Sequence, residues 1–220
     1  MAAPAHIDIS ERKICEVLSG FGISPTTEQV ERIQDYLRLL LKWNRSINLT
    51  SIVDPVEIVR RHFGESIYAS KLLPVENCRL ADVGTGAGFP GIALKIACPN
   101  IHLILIEPNK KKCAFLSEVS RTLALTDLEI VAERFEQIRP ESIRAEIVTS
   151  RAVGEFKQIL RWSKKALVRR GHIMLWVGAD DSRRISADTT WTWQPSVRIP
   201  DSQRRFIIIG RPITEDLRNT

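Results

Sequence analysis

From residue 78 onwards, short apolar runs alternate with amphipathic helical stripes, and this alternation constrains the fold more than any other feature of the sequence. Five short apolar runs are candidate strands: residues 80–83, 103–106, 128–131, 147–148 and 173–177. Between them, apolar residues recur at helical spacing, as in the stripe of Phe156, Ile159, Leu160 and Leu167. This order predicts an α/β fold with a doubly wound, mostly parallel sheet and helices on the crossovers.

The alternation stops near the C-terminal end of the sequence. Residues 191–199 and 204–209 have strand-like patterns with no helical stripe between them, which predicts an antiparallel hairpin at the edge of the sheet. We interpret the polar stretch 179–190 as a loop.

The part of the chain before residue 77 has a helical pattern only. Two apolar stripes predict amphipathic helices, the second opened by a capping box formed by Thr26 and Gln29. A similar start, Asp54-Pro55 followed by Glu57, predicts a third helix through about Leu72. We therefore expect a helical extension over 1–76, a core over 77–212 and a tail over 213–220, packed as one compact unit.

Composition narrows the possible partners and locations. The formal charge of +6 and the pI near 9.3 favour a polyanionic partner, and the pair Lys164-Lys165 is a candidate phosphate contact. No apolar run approaches the ~20 residues that span a bilayer, and the first ten residues lack a signal-peptide pattern. We therefore expect a cytoplasmic protein without membrane contact. The four cysteines include no C-x-x-C pair, so we expect no metal site.

The strongest local motif is the glycine-rich segment 82–91, DVGTGAGFPG, between the first predicted strand and a helix. Glycines here let a ligand approach bare backbone. The dinucleotide fingerprint G-x-G-x-x-G would need glycine where Phe89 stands, and no G-K-[ST] follows to complete a phosphate-binding loop. The acidic-x-G-x-G pattern, with Asp82, Gly84 and Gly86, resembles instead the first motif of class I methyltransferases, which have a Rossmann-like fold and bind S-adenosylmethionine.

A carboxylate, Glu107, follows the second predicted strand 23 residues after Gly84. In this position it can accept hydrogen bonds from both ribose hydroxyls of a nucleoside. The same geometry fits an NAD enzyme, so Glu107 indicates a nucleoside ligand without identifying it. Phe89 and the glycine spacing favour S-adenosylmethionine.

The end of the fourth predicted strand lacks two motifs that mark particular methyl acceptors, and this absence narrows the choice of acceptor atom. Residues 148–152 read VTSRA, without the Asn/Asp-Pro-Pro-aromatic sequence of exocyclic-amine methyltransferases and without the cysteine that pyrimidine C5 methylation requires. A ring nitrogen such as guanine N7 carries no proton, so methylating it needs alignment rather than a general base. We therefore expect no acid–base pair in this sequence.

Several segments in fixed order give the chain a close resemblance to one family. They are residues 43–50 (WNRSINLT), 61–66 (RHFGES), the glycine-rich segment and 150–152 (SRA). Together they resemble the rRNA small subunit methyltransferase G family, also called glucose-inhibited division protein B, over about residues 30–210. This resemblance implies N7-methylation of one guanine in a hairpin loop of 16S rRNA near the decoding site, with the small ribosomal subunit as partner and a monomeric enzyme.

The resemblance also implies site residues. Family cofactor contacts fall on Gly84, Phe89, Phe135, Glu136 and Arg151, and Arg151 is also the candidate for positioning the reactants. General class I features add Asp82, Gly86 and Glu107 to the cofactor set. The residues that precede the sheet and are candidates for RNA contact are Asn44, Asn48, Arg61 and His62, beside Lys164 and Lys165.

The chain departs from the family pattern at two positions. Glu65 stands where relatives usually have Asp, and Val177-Gly178 stands where they usually have Lys-Gly, which removes a cation from the end of the fifth strand. Other readings remain open from the sequence: a class I methyltransferase acting on another RNA, a protein or a small molecule; an NAD-dependent oxidoreductase; and a nucleotide-binding module without activity.

Overall fold

The computed structural model describes residues 9–151 and 156–213 of the chain. Its first part is helical, with α1 at Glu11–Ser19, α2 at Thr27–Asn44 and α3 at Pro55–Ile58. From α3 the chain continues through a π-helical turn at Val59–Gly64, α4 at Glu65–Ile67 and a 3-10 turn at Tyr68–Lys71. The predicted helical character of this part is confirmed.

The predicted capping box of α2 is present and also joins two parts of the fold. Thr26 Oγ1 accepts a hydrogen bond from the Gln29 amide, and the Gln29 side chain accepts one from the Thr26 amide. The Gln29 Nε2 group also donates to the carbonyls of Ile96 and Ala97, at 3.3 and 3.1 Å. The start of α2 is therefore fastened to a helix of the sheet region.

The third predicted helix begins where expected but is less regular. Asp54 caps α3 by accepting from the Glu57 amide at 2.8 Å, whereas the Glu57 carboxylate pairs with Arg60 and does not complete a capping box. The following π-helical turn carries Arg61 and His62, and such turns concentrate at functional sites.

The sheet has eight strands, and the first five along the chain are parallel to one another. The strands are β1 (Arg79–Val83), β2 (His102–Ile106), β3 (Leu128–Val131), β4 (Ala145–Arg151), β5 (Leu167–Gly178), β6 (Trp191–Trp193), β7 (Val197–Arg198) and β8 (Arg205–Pro212). Their order is β3-β2-β1-β4-β5-β8-β6, with β7 also paired to β8. β2 and β3 lie on one side of β1, whereas β4 and β5 lie on the other, so the strand order switches between β1 and β4. In open α/β sheets, ligands bind beside such a switch, at the carboxyl ends of the strands.

Helices cover both faces of the sheet. The face that packs on α1 and α2 also carries α5 (Gly91–Ala97) and α6 (Lys110–Thr122). The opposite face carries α7 (Phe156–Ala166) and α8 (Ala179–Ser186), with 3-10 turns at Phe135–Gln137 and Pro140–Ser142 between β3 and β4. Because one continuous core joins α1 and α2 to the sheet, the N-terminal helices form part of the same packed body.

Two predictions about local structure were wrong. Leu167 begins β5 instead of continuing the stripe of α7, because it pairs with Ala145 across a register shift. The stretch predicted as a loop contains α8, which is stabilised by ion pairs Asp180–Arg183 and Asp181–Arg184 at i,i+3 spacing.

The C-terminal hairpin was predicted correctly, with one difference in its first strand. β8 runs antiparallel to β5 and pairs with β6 and β7 on its other side. Residues 194–196 separate β6 from β7 and include Pro195, which has no N–H to donate to the ladder.

Candidate functional site

The glycine turn after β1 offers open backbone at the carboxyl edge of the sheet. Gly84, Gly86 and Gly88 have φ values of 66°, 60° and 87°, a region that disfavours other residues. Gly84 is exposed and Gly86 half-buried, and among the described residues a Cβ on Gly86 would meet only the Gly84 carbonyl oxygen, at 3.9 Å. The outer side of this turn therefore has room for a ligand against the main chain.

Asp82 lies beneath the turn and holds its shape. Its side chain is fully buried and accepts hydrogen bonds from Thr85 Oγ1, the Gly91 amide and Thr149 Oγ1. Burial raises the pKa of Asp82 to about 6, although these donors and Arg151 act in the opposite direction. Because its carboxylate is enclosed by protein donors, Asp82 affects a ligand indirectly, by holding the shape of the turn.

Glu107 links the ends of β1 and β2. Its Oε2 accepts from the Gly86 amide at 3.0 Å, and its Oε1 accepts from the Asn109 amide at 2.9 Å. Glu107 is only 5% exposed, and with both oxygens hydrogen-bonded its side chain has little freedom to move. The structure thus brings together Gly84, Gly86 and Glu107, which the sequence had suggested as one nucleoside site.

An aromatic cluster supports the inner side of the turn. Phe89 stacks on Tyr36 with ring centroids 5.1 Å apart and on His62 at 4.8 Å, and it meets Phe63 edge-on. Since Phe89 is only 6% exposed, a ligand above the turn would meet its backbone rather than its ring. Tyr36 was not among the predicted site residues, although a tyrosine within the apolar stripe of α2 was a usable signal.

His62 is held as a neutral side chain. Its Nε2 lies 2.8 Å from Thr50 Oγ1, and burial, with Arg151 and Arg61 nearby, lowers the pKa of His62 to about 3. Asn44 folds the preceding loop by accepting from the Leu49 and Thr50 amides and donating to the Thr50 carbonyl. Asn44 and His62 therefore serve internal contacts, whereas Asn48 is exposed.

Arg151 ends β4 beside the glycine turn, as predicted, and contacts the N-terminal helices. Its Nη1 donates to the Arg61 carbonyl at 2.8 Å, and its Nη2 lies 3.3 Å from Glu65 Oε2. Glu65 also pairs with Arg205 of β8, at 2.7 Å. Sequence reasoning did not identify this bridge, because its members are far apart along the chain.

Phe135 and Glu136 lie in the 3-10 turn after β3. Phe135 packs edge-on against Trp162 of α7, with ring centroids 5.8 Å apart, and Glu136 is exposed. Both line an open cavity of about 310 Å³ together with Pro140, Gln158, Arg161, Trp162 and Lys165. The Phe135 ring thus joins the packing on this face of the sheet.

The two lysines of α7 have different environments. Lys164 Nζ lies over the ring of Trp191, 5.8 Å from its centroid, whereas Lys165 is exposed beside the cavity of Phe135. Ala152, the last residue of the SRA segment, lies outside the described residues.

Within residues 9–151 and 156–213, no group of three or more His, Cys, Asp or Glu side chains is arranged to hold a metal ion. None of the helices described is long and apolar enough to cross a bilayer.

Comparison with known proteins finds relatives that all belong to one family. The profile of the family described as rRNA small subunit methyltransferase G matches residues 29–197. The Ribosomal RNA small subunit methyltransferase G of Dichelobacter nodosus is 43% identical over 136 residues, which cover 62% of this chain and 64% of that protein. Its namesake from Ectopseudomonas mendocina is 32% identical over 215 residues, covering 94% of this chain and 100% of that protein.

Solved structures give the fold. A crystal structure of a SAM-dependent methyltransferase from Aquifex aeolicus superposes with a TM-score of 0.60 at 15% identity, covering 73% of this chain and 94% of that one. The predicted class I methyltransferase fold is therefore confirmed.

Proposed function

The chain belongs to the rRNA small subunit methyltransferase G family, and from this membership we propose that it methylates N7 of one guanine in 16S rRNA, using S-adenosylmethionine. The observation that carries the proposal within the site is the open glycine turn with Glu107 hydrogen-bonded to Gly86. The acceptor base belongs to the hairpin loop near the decoding site, and the partner is the small ribosomal subunit.

The residues present fit S-adenosylmethionine. Gly86 leaves room for a ligand along the backbone, Gly84 beside it is exposed, and Glu107 places a carboxylate there that suits ribose hydroxyls. We assign the cofactor contacts to Gly84, Gly86, Phe89 through its backbone, Glu107, and the residues Phe135, Glu136 and Arg151. Asp82 belongs to this set as the buried support of the turn.

Catalysis in this proposal consists of positioning. When bound, S-adenosylmethionine supplies an electrophilic methyl group. Guanine N7 presents a lone pair without a proton, so the protein has to align the base and exclude competing orientations rather than remove a proton. Arg151 is fixed by the Arg61 carbonyl and by Glu65, and it serves as the rigid positioning group at the end of β4.

His62 has no acid–base role in this scheme. Its lowered pKa keeps the ring neutral above about pH 3, and its stacking on Phe89 orients the aromatic cluster under the turn. Among the candidates for RNA contact, we assign phosphate contact to Lys165. Asn48 and Arg61 remain candidates for further contacts to the RNA.

We also propose that residues 1–76 act as the helical extension of a methyltransferase core at 77–212, with 213–220 as a tail. A monomer in the cytoplasm suits an enzyme whose substrate is the ribosomal subunit or its RNA.

The proposal is tested by methyl transfer from radiolabelled S-adenosylmethionine to 30S subunits and to naked 16S rRNA. Borohydride–aniline treatment then cleaves the RNA wherever N7-methylguanine has formed. Cleavage at one guanine of the decoding-region loop supports the proposal. Label without cleavage contradicts N7 as the acceptor atom, and absence of label on both RNAs contradicts the substrate.

A further inference from the structure

One buried carboxylate holds two arginine side chains from different strands. Glu65 is 1% exposed; its Oε1 accepts from Arg205 Nε at 2.8 Å and Nη2 at 2.7 Å, while its Oε2 lies 3.3 Å from Arg151 Nη2. The main-chain carbonyl of Glu65 also accepts from Trp176 Nε1 at 2.9 Å. The carboxylate is therefore fixed in place, and it fixes both guanidinium groups.

This cluster carries more positive than negative charge. Arg61 adjoins it, since its carbonyl accepts from Arg151, and its own buried Nε has no hydrogen-bond partner among the described residues. Glu65 can offset one of the three guanidinium charges. The pKa of Arg151 is lowered by burial and by Arg205 and Arg61, with Glu65 and Asp82 acting in the opposite direction. Even with both carboxylates ionised, the three guanidinium groups leave an excess of one positive charge. Such an excess in a partly buried place attracts an anion.

The cluster lies at the edge of the sheet where the glycine turn lies. Arg151 is the last residue of β4, and Arg205 pairs with Gly178, the last residue of β5. The side chain of Arg205 is 36% exposed and that of Arg151 is 18% exposed. Arg205 is thus about twice as exposed as Arg151, within the region where the acceptor base has to enter.

We propose that Arg205, held by Glu65 beside Arg151, binds a backbone phosphate of the RNA next to the methylated nucleotide. This inference rests on the proposed function, because it assigns a residue to the substrate of the same site. The planar guanidinium of Arg205 is held by Glu65 along one edge, and its free edge can donate to a phosphate oxygen. Because the side chain is already fixed, it loses little conformational entropy when it binds the phosphate. Arg205 is a positioning residue: it orients the RNA backbone so that the base reaches the methyl donor.

The test is equilibrium binding of a 16S rRNA fragment that contains the decoding-region hairpin, measured over a series of salt concentrations with S-adenosylhomocysteine present. Arg205→Ala should weaken binding about tenfold near 0.1 M salt and lower the salt slope by about 0.7–0.9, the contribution of one phosphate. Arg205→Lys should keep the slope. Arg169→Ala removes an exposed arginine near the amino end of β5, at the opposite edge, and should leave both quantities unchanged.

Two results would overturn the proposal: wild-type affinity and slope in Arg205→Ala, or an equal loss in Arg169→Ala. Reduced thermal stability of Arg205→Ala with an unaltered slope would assign Arg205 a structural role only. Failure of the proposed function is distinguished by methyl transfer from the wild-type protein to the same fragment. If the slope depends on Arg205 but no N7-methylguanine forms, the phosphate site stands and the reaction does not.

Discussion

The hydroxyl of Tyr36 donates a hydrogen bond to the Ala87 carbonyl, which fastens the middle of α2 to the glycine turn. Tyr36 is fully buried, and its ring lies parallel to that of Phe89, with an interplanar angle of 6°. A Cβ on Gly88 would collide with the same hydroxyl. The shape of the turn therefore depends on a helix that precedes the sheet.

Tyr36→Phe should reduce both stability and cofactor affinity. The ring stack survives, but the buried Ala87 carbonyl loses its donor, so the free energy of unfolding should fall by about 1–3 kcal/mol. Because the turn loosens, the Kd for S-adenosylhomocysteine should rise several-fold. Urea unfolding and calorimetric titration measure the two effects. Tyr68→Phe is the control, since the Tyr68 hydroxyl makes no hydrogen bond among the described residues, and equal losses in both variants would contradict the role of Tyr36.

Glu107→Gln should weaken cofactor binding while leaving the fold intact. Both oxygens of Glu107 accept backbone N–H groups, and an amide nitrogen in one of these places cannot accept. We expect a loss of about 1–3 kcal/mol in the binding of S-adenosylhomocysteine. Glu129→Gln, an exposed position on β3, is the matched control. Unchanged affinity in Glu107→Gln would remove Glu107 from the ribose site.

Asp82 should make stability depend on pH in a specific direction. Its pKa in the folded protein is about 6, against an ordinary value of 3.8, so the folded state holds this proton over a range where the unfolded state has released it. The resulting stabilisation is complete below about pH 3.8 and is lost as the pH rises through about 6.

Comparison of wild type with Asp82→Asn isolates this effect. Each pKa unit corresponds to ~1.4 kcal/mol, and at pH 4 the carboxyl of the unfolded chain is already more than half ionised. The difference in unfolding free energy between the two proteins should therefore change by about 2 kcal/mol from pH 4 to pH 7. The wild type should become less stable relative to Asp82→Asn as the pH rises. The contribution of His62 titration cancels in this difference, because both proteins contain His62. Asp127→Asn, at an exposed position, should show no such trend. Parallel pH curves for wild type and Asp82→Asn would show that the pKa of Asp82 is not raised.

Lys164 and Lys165 should respond differently to charge reversal. Lys165→Glu should weaken RNA binding and lower the salt slope, because an exposed lysine can contact phosphate. Lys164→Glu should mainly lower the melting temperature, because it removes the cation over the Trp191 ring. Thermal melts and salt-dependent binding of both variants provide the measurements. Equal effects on the slope would show that the two lysines share one role.

The sequence predicted the elements whose signals are local. The runs that became β1–β5 were found from their length and spacing, and the cap of α2 from Thr26 and Gln29. α8 was missed because only Ser182 and Ile185 are buried in it, so it lacks an apolar stripe. Its acidic start and basic end were the available signal.

The candidate site was predicted in part for the same reason. Gly84, Gly86 and Glu107 follow neighbouring parallel strands, so strand order alone brings them together. The bridge from Glu65 to Arg151 and Arg205 depends on how helices and strands pack in three dimensions. No spacing in the sequence encodes contacts between residues 86 and 140 positions apart.

That bridge also has a consequence for synthesis of the chain from its amino end. Glu65 leaves the ribosome 140 residues before Arg205, and 86 residues before Arg151. A nascent chain that has folded its first helices therefore contains a carboxylate whose charge partners have not yet been made. Burying it uncompensated is costly, so the anion-attracting cluster can close only after Arg205 has been synthesised. A nascent chain that stops short of Arg205 therefore lacks this cluster.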